Sequence, residues 1–126
     1  MANGCILFKI VHQVDYILGK NPVGMSFMVG FGDKYPQQAH HRGSSIVSIY
    51  EDSKKLSCAE GFSMWFDRQA PNPNELTGAV VGGPDRYEKF EDSRANSSML
   101  EPTTYVNAPL VGVLAKLHSI SMVPHI

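Results

Sequence analysis

Asp92 and Glu101 lie nine positions apart in FEDSRANSSMLEPTTYVN, residues 90 to 107, a polar stretch of Ser, Asn and Pro that also holds Arg94. Two carboxyl groups are what glycoside hydrolysis asks for: one protonates the leaving oxygen, the other activates a water or attacks the anomeric carbon. The competing reading is that both acids are simply solvated, because charged side chains are mostly exposed. A second stretch, SFMVGFGDKYPQQAHHRGSS at residues 26 to 45, adds His40, His41 and Arg42 to a loop punctuated by glycine. Imidazole both donates and accepts, and guanidinium presents a planar fork of donors. A metal site is a weak reading of the same residues. Adjacent histidines seldom ligate one ion, and no Cys/His spacing of zinc type occurs.

The elements that must position these groups are few. Ile6, Ile10, Val14, Ile17 and Leu18 recur at helical spacing and predict an amphipathic helix from about 5 to 18, stopped by Gly19 and Asn21-Pro22. Residues 20 to 45 hold too many glycines and prolines for a long helix and read as a structured loop. GFSMWFDRQ at 61 to 69 supplies Trp65, Phe62 and Phe66, each either core or a face on which a sugar ring could stack. Pro71-Asn72-Pro73-Asn74 reads as a bend within one domain, and Ala79 to Val81 as a short extended piece ending at Gly82-Gly83-Pro84. A second helix is predicted from Tyr105 to Leu117, with Pro109 near its start, where the missing N–H costs least.

Composition narrows the function classes. The 126 residues carry a net charge of −1, with 43% hydrophobic and 18% charged residues, and a pI near 6.5. That is a globular chain without the basic footprint expected of a nucleic-acid binder, and without an apolar run of the roughly 20 residues needed to span a membrane. MANGCILFKI is too short in its apolar part to read as a signal peptide. Cys5 and Cys58 make no disulfide framework and are expected to be free thiols, and Asn96-Ser97-Ser98 is a formal N-glycosylation sequon.

Taken together, the two chemistry-bearing stretches resemble glycoside hydrolase family 9, the inverting endo-β-1,4-glucanases or cellulases, and most closely its plant members. Ser26, Gly32, Lys34, His40 and Arg42 match the first family signature, with Ala39 where Pro or a larger aliphatic is usual. Phe90, Asp92, Glu101, Thr103, Asn107 and Ala108 match the second, with Ser97 where an aromatic is expected. Residues 13 to 30, 71 to 85 and 101 to 115 are also similar to plant members, so the resemblance covers roughly residues 13 to 115.

The resemblance implies an all-α fold: the C-terminal portion of an (α/α)₆ toroid, with long cleft-forming loops between helices and residues 1–126 forming part of one catalytic domain. It makes Glu101 the general acid, a role that needs a carboxyl kept protonated by burial or a like charge, with Met99, Leu100 and Pro102 as apolar neighbours. Asp92 then orders the loop by pairing with Arg94, or supports the acid. His40 and Arg42 hold sugar hydroxyls beside the scissile bond, His41 and Trp65 are further candidate substrate contacts, and the partner is a β-1,4-glucan. No cofactor is implied, and the location is extracellular or in the cell wall. An inverting enzyme also needs a base about 6.5–9.5 Å from its acid; the family takes it from an Asp-Ala-Gly-Asp type motif that this sequence does not contain. The isolated chain is therefore expected to be inactive, and the alternative is a non-catalytic remnant with at most weak glucan binding.

Overall fold

The computed structural model describes residues 2–122, whose regular elements are all helices, with no β-strand among them. Two long helices, α1 (Ala2–Ile17) and α5 (Thr104–Ser121), flank a loop region with three short helical pieces. These are α2 (Arg42–Ser45), α3 (Cys58–Glu60) running directly into a π-helical turn (Gly61–Phe66), and α4 (Ser97–Leu100).

The stop signal read at the end of the first helix works as a physical device. Gly19 has φ +115°, a conformation open to glycine, and the Asn21 amide donates to the carbonyls of Tyr16 at 2.7 Å and Met25 at 2.8 Å. The apolar stripe is buried only at its C-terminal end. Val14, with Ile17 and Leu18, packs with Leu110, Val113, Leu114 and Leu117 of α5, and Val80 belongs to the same cluster. Ile6 and Phe8 stay exposed, as do Val111 and Met122 at α5, so each long helix keeps an apolar flank uncovered.

The second helix departs from its expected form in two ways. It continues four residues beyond Leu117 to Ser121, and Pro109 is its sixth residue, inside the helix and not at its first turn. The proline removes the N–H that would bond the Tyr105 carbonyl. Tyr105 is largely exposed, so water can take that bond, and packing of Leu110 to Leu117 against α1 outweighs local propensity.

Between the helices, Phe27, Val29, Ala39 and Val81 form a second cluster, flanked by Tyr16, Met25, Tyr35 and Phe90. The expected extended piece at 79–81 finds an antiparallel partner at 27–29. Val29 N–H donates to Ala79 O at 2.9 Å, and Val81 N–H to Phe27 O at 3.0 Å, around an isolated bridge between Met28 and Val80. Asn107 completes this layer from α5: its Oδ1 accepts the Val80 N–H at 2.7 Å and its Nδ2 donates to Val80 O at 2.9 Å, as a neighbouring strand would. Gly82 then passes so close to α4 that a Cβ there would lie 2.1 Å from the Ser98 carbonyl oxygen. Gly83 N–H donates to Met99 O at 3.0 Å, so the 78–83 segment carries α4, and with it Glu101, at a set position.

Candidate functional site

His40 is where the two signature stretches meet. Its N–H donates to Leu100 O at 2.9 Å, one residue before Glu101, and its imidazole Nδ1 lies 2.7 Å from the Arg94 carbonyl oxygen. The ring stands edge-on to Phe66, with centroids 5.7 Å apart and an interplanar angle of 88°. His41 serves the backbone, since its Nδ1 accepts the Ser44 N–H at 3.2 Å and so caps α2. Arg42, the first residue of α2, is exposed, and its guanidinium makes no hydrogen bond or ion pair among the described residues.

The segment from 39 to 46 is held by the bend at 71–74. Asn72 Nδ2 donates to Ala39 O at 2.9 Å and to Ser44 Oγ at 2.7 Å, while Asn74 Nδ2 donates to Gly43 O at 2.9 Å and Ile46 O at 2.6 Å. Sequence reasoning read this bend only as a turn. The alternation of Pro with Asn was the available signal, because proline fixes the backbone and leaves each amide side chain free to bind neighbouring main chain.

Asp92 and Arg94 correct the expected pairing. Asp92 does order a loop, but through main chain, accepting the Gln37 N–H at 2.7 Å and the Gln38 N–H at 3.0 Å just ahead of Ala39 and His40. Arg94 is 2% exposed and makes no ion pair with it. Its Nε donates to Asn72 Oδ1 at 2.7 Å, Nη1 to the carbonyls of Trp65, Phe66 and Arg68 at 3.2, 2.7 and 2.9 Å, and Nη2 to Ala70 O at 2.8 Å. Burial pulls its pKa below the ordinary arginine value; the like charge of Arg68 adds to this and Asp92 opposes it.

A cavity of about 330 Å³ opens beside these groups. His40, His41 and Arg42 form its polar side, Ile46, Phe62 and Phe66 much of its apolar side, and Cys58 lies on its wall. Trp65 is not part of it. Trp65 is half-buried, with the Arg68 guanidinium 5.0 Å from its ring centroid, and Phe62 and Phe66 are the aromatic residues that line this cavity. A π-helical turn bonds residues five apart, as in Asp67 N–H to Phe62 O at 2.9 Å, and Phe62 and Phe66, four apart on this turn, meet edge to face with centroids 5.4 Å apart.

Glu101 follows α4 as its C-terminal cap and is exposed; it does not line the cavity. The apolar cover expected from its neighbours is not supplied, because Leu100 is fully buried in the interior. Asn96, head of the sequon, precedes α4 and its Oδ1 accepts the Ser98 hydroxyl at 2.8 Å. Cys5 and Cys58 are both free and exposed. No group of three or more His, Cys, Asp or Glu side chains that could hold a metal ion occurs among the described residues, and none of the described helices is long and apolar enough to cross a membrane.

The helical scaffold thus joins the loop that bears Glu101 to the His-x-Arg loop through the His40–Leu100 bond, with an aromatic-walled cavity beside His40. Comparison with known proteins gives the family: the model for glycosyl hydrolase family 9 matches residues 8–114, and the chain belongs to that family. Among curated relatives, Endoglucanase 15 of Oryza sativa subsp. japonica is 59% identical over 112 residues, covering 89% of this chain and 18% of that protein. Endoglucanase 19 of Arabidopsis thaliana is 59% identical over 107 residues, 85% of this chain and 17% of that protein. Among solved structures, an endoglucanase from the termite Nasutitermes takasagoensis superposes with a TM-score of 0.69 at 32% identity, covering 87% of this chain and 23% of that one. The cellulase Cel9M of C. cellulolyticum in complex with cellobiose superposes at 0.61 with 37% identity, covering 82% and 21%. The chain thus spans about a fifth of the length of these relatives.

Proposed function

We propose that this chain is the C-terminal portion of the catalytic domain of a family-9 endo-β-1,4-glucanase, which cleaves internal bonds of cellulose-like glucans with inversion, outside the cell or in the cell wall. Glu101 is the general acid that protonates the departing glycosidic oxygen. His40 and Arg42 hold sugar hydroxyls beside that bond, and Asp92 sets the 37–40 segment from which His40 projects. The carboxylate base that activates water belongs to a part of the domain outside these residues. The observation that carries the reading is the hydrogen bond from His40 to Leu100 O, which joins the two signature loops one residue from the acid.

The rest of the domain then has two roles. As the last helices of an (α/α)₆ toroid, α1 and α5 would bury their uncovered flanks, Ile6, Phe8 and Val111 among them, against preceding helices. Bound glucan and those helices would also provide the cover that a protonated Glu101 needs, since apolar surroundings favour the neutral carboxyl. The test is release of reducing ends from a soluble cellulose derivative by the 126-residue chain, with Glu101→Gln as control. The expected result is no Glu101-dependent turnover. Substantial turnover that disappears in Glu101→Gln would mean that the base lies within this chain, and would overturn that part of the proposal.

A further inference from the structure

Arg94 takes no part in the chemistry just proposed, yet it is the most heavily bonded side chain beside the cavity. We propose that Arg94 is a positioning residue that fixes the tautomer and orientation of His40, so that a glucan hydroxyl meets a lone pair on Nε2. The inference rests on the reading of His40 as a sugar contact.

The tautomer follows from the partner. A backbone carbonyl can only accept, so the 2.7 Å contact between His40 Nδ1 and Arg94 O requires the proton on Nδ1. Neutral His40 then carries its lone pair on Nε2, which has no hydrogen-bond partner among the described residues, while the residue lines the cavity. A sugar hydroxyl approaching Nε2 would donate its proton. The same outer contact that selects the tautomer also fixes the plane of the ring.

The side chain of Arg94 holds the other support of that ring. Its five acceptors lie on Trp65, Phe66, Arg68, Ala70 and Asn72, the strap that leaves the π-turn and carries Phe66 edge-on to His40. Of these carbonyls, Trp65 O also accepts the Arg68 N–H and Arg68 O the Ala70 N–H, and the guanidinium adds a second donor to each, a cation being favoured at the end of a helical turn. The guanidinium is compensated by neutral oxygens and not by a carboxylate, so its geometry, a planar fork reaching several acceptors at once, is what the site uses. Lysine keeps the charge and loses the fork. Arg94 thus reaches His40 twice: directly through its carbonyl, and through the strap that sets Phe66.

The test reads the ring nitrogens. Long-range ¹H–¹⁵N correlation spectra of the histidine-labelled chain, with His40 assigned by its loss in His40→Gln, should show a single neutral tautomer protonated at Nδ1. Arg94→Lys keeps the backbone carbonyl but loses the fork that anchors it to the 65–72 strap, so the carbonyl should shift from His40 Nδ1; the variant should give an averaged tautomer pattern and bind cellotetraose about tenfold more weakly, with Trp65 emission reporting that the fold persists. Wild-type His40 protonated at Nε2 overturns the proposal, as does a folded Arg94→Lys chain with unchanged tautomer and affinity. If Arg94→Lys does not fold, the wild-type spectrum decides. If cellotetraose does not bind while the Nδ1–H tautomer is present, the glucan reading of the cavity fails and the positioning of His40 stands.

Discussion

Asn107→Ala is the perturbation whose cost can be worked most directly from the structure. The amide bonds both the N–H and the C=O of Val80, at 2.7 and 2.9 Å, and its Nδ2 also lies 2.9 Å from Thr103 O. Val80 is 2% exposed, so water does not readily replace either bond. Leaving one buried polar group unsatisfied costs about 1–3 kcal/mol, and two on one residue give about 2–4 kcal/mol after allowance for relaxation. Native-state hydrogen exchange at the Val80 amide is the assay. At about 1.4 kcal/mol per decade, exchange should accelerate by roughly one and a half to three orders of magnitude. Asn107→Asp should not rescue it fully, because a carboxylate keeps the acceptor for Val80 N–H but faces two carbonyl oxygens. Exchange in Asn107→Ala within about tenfold of the parent would refute the claim that this side chain substitutes for a strand.

Gly82→Ala forces a Cβ to within 2.1 Å of the Ser98 carbonyl, so α4 must shift; destabilisation of about 1–3 kcal/mol is expected in urea unfolding followed by Trp65 emission. The hydrogen bond from the Tyr16 hydroxyl to the Glu88 carboxylate, together with burial, pushes the Tyr16 pKa up from 10.0 to about 12. The unfolded chain releases that proton earlier than the folded one, so this contribution to stability is complete below pH 10 and is lost as pH rises towards about 12. A near-ultraviolet titration should show one phenol ionising late, and Glu88→Gln should move it earlier. Cellotetraose should slow maleimide alkylation of Cys58, on the cavity wall, several-fold while leaving Cys5 on α1 unaffected; equal rates with and without the sugar would place the glucan elsewhere.

The parts of this fold that were legible in the sequence are those set by local pattern. The α1 stripe ending at Gly19, the apolar run of α5 and the turn at 71–74 each follow from neighbouring residues. What escaped was set by residues far apart in the chain. Arg94 holds carbonyls 24 to 29 positions away, and nothing in its own neighbourhood distinguishes it from a partner for Asp92. Phe62 and Phe66, and not Trp65, line the cavity, a choice that composition alone leaves open. Glu101 was legible as a member of a motif, whereas its exposure depends on which helices surround it.

Glu101 as the acid half of a glucanase whose base lies elsewhere in the domain is the central claim. Its most direct test replaces the matching segment of a full-length family-9 endoglucanase with residues 8–114 of this chain and measures hydrolysis of a soluble cellulose derivative. The expected hybrid is active and loses activity by about 10²- to 10⁴-fold in Glu101→Gln, the range for removing a general acid. A hybrid that is folded and active but indifferent to Glu101→Gln would contradict the claim.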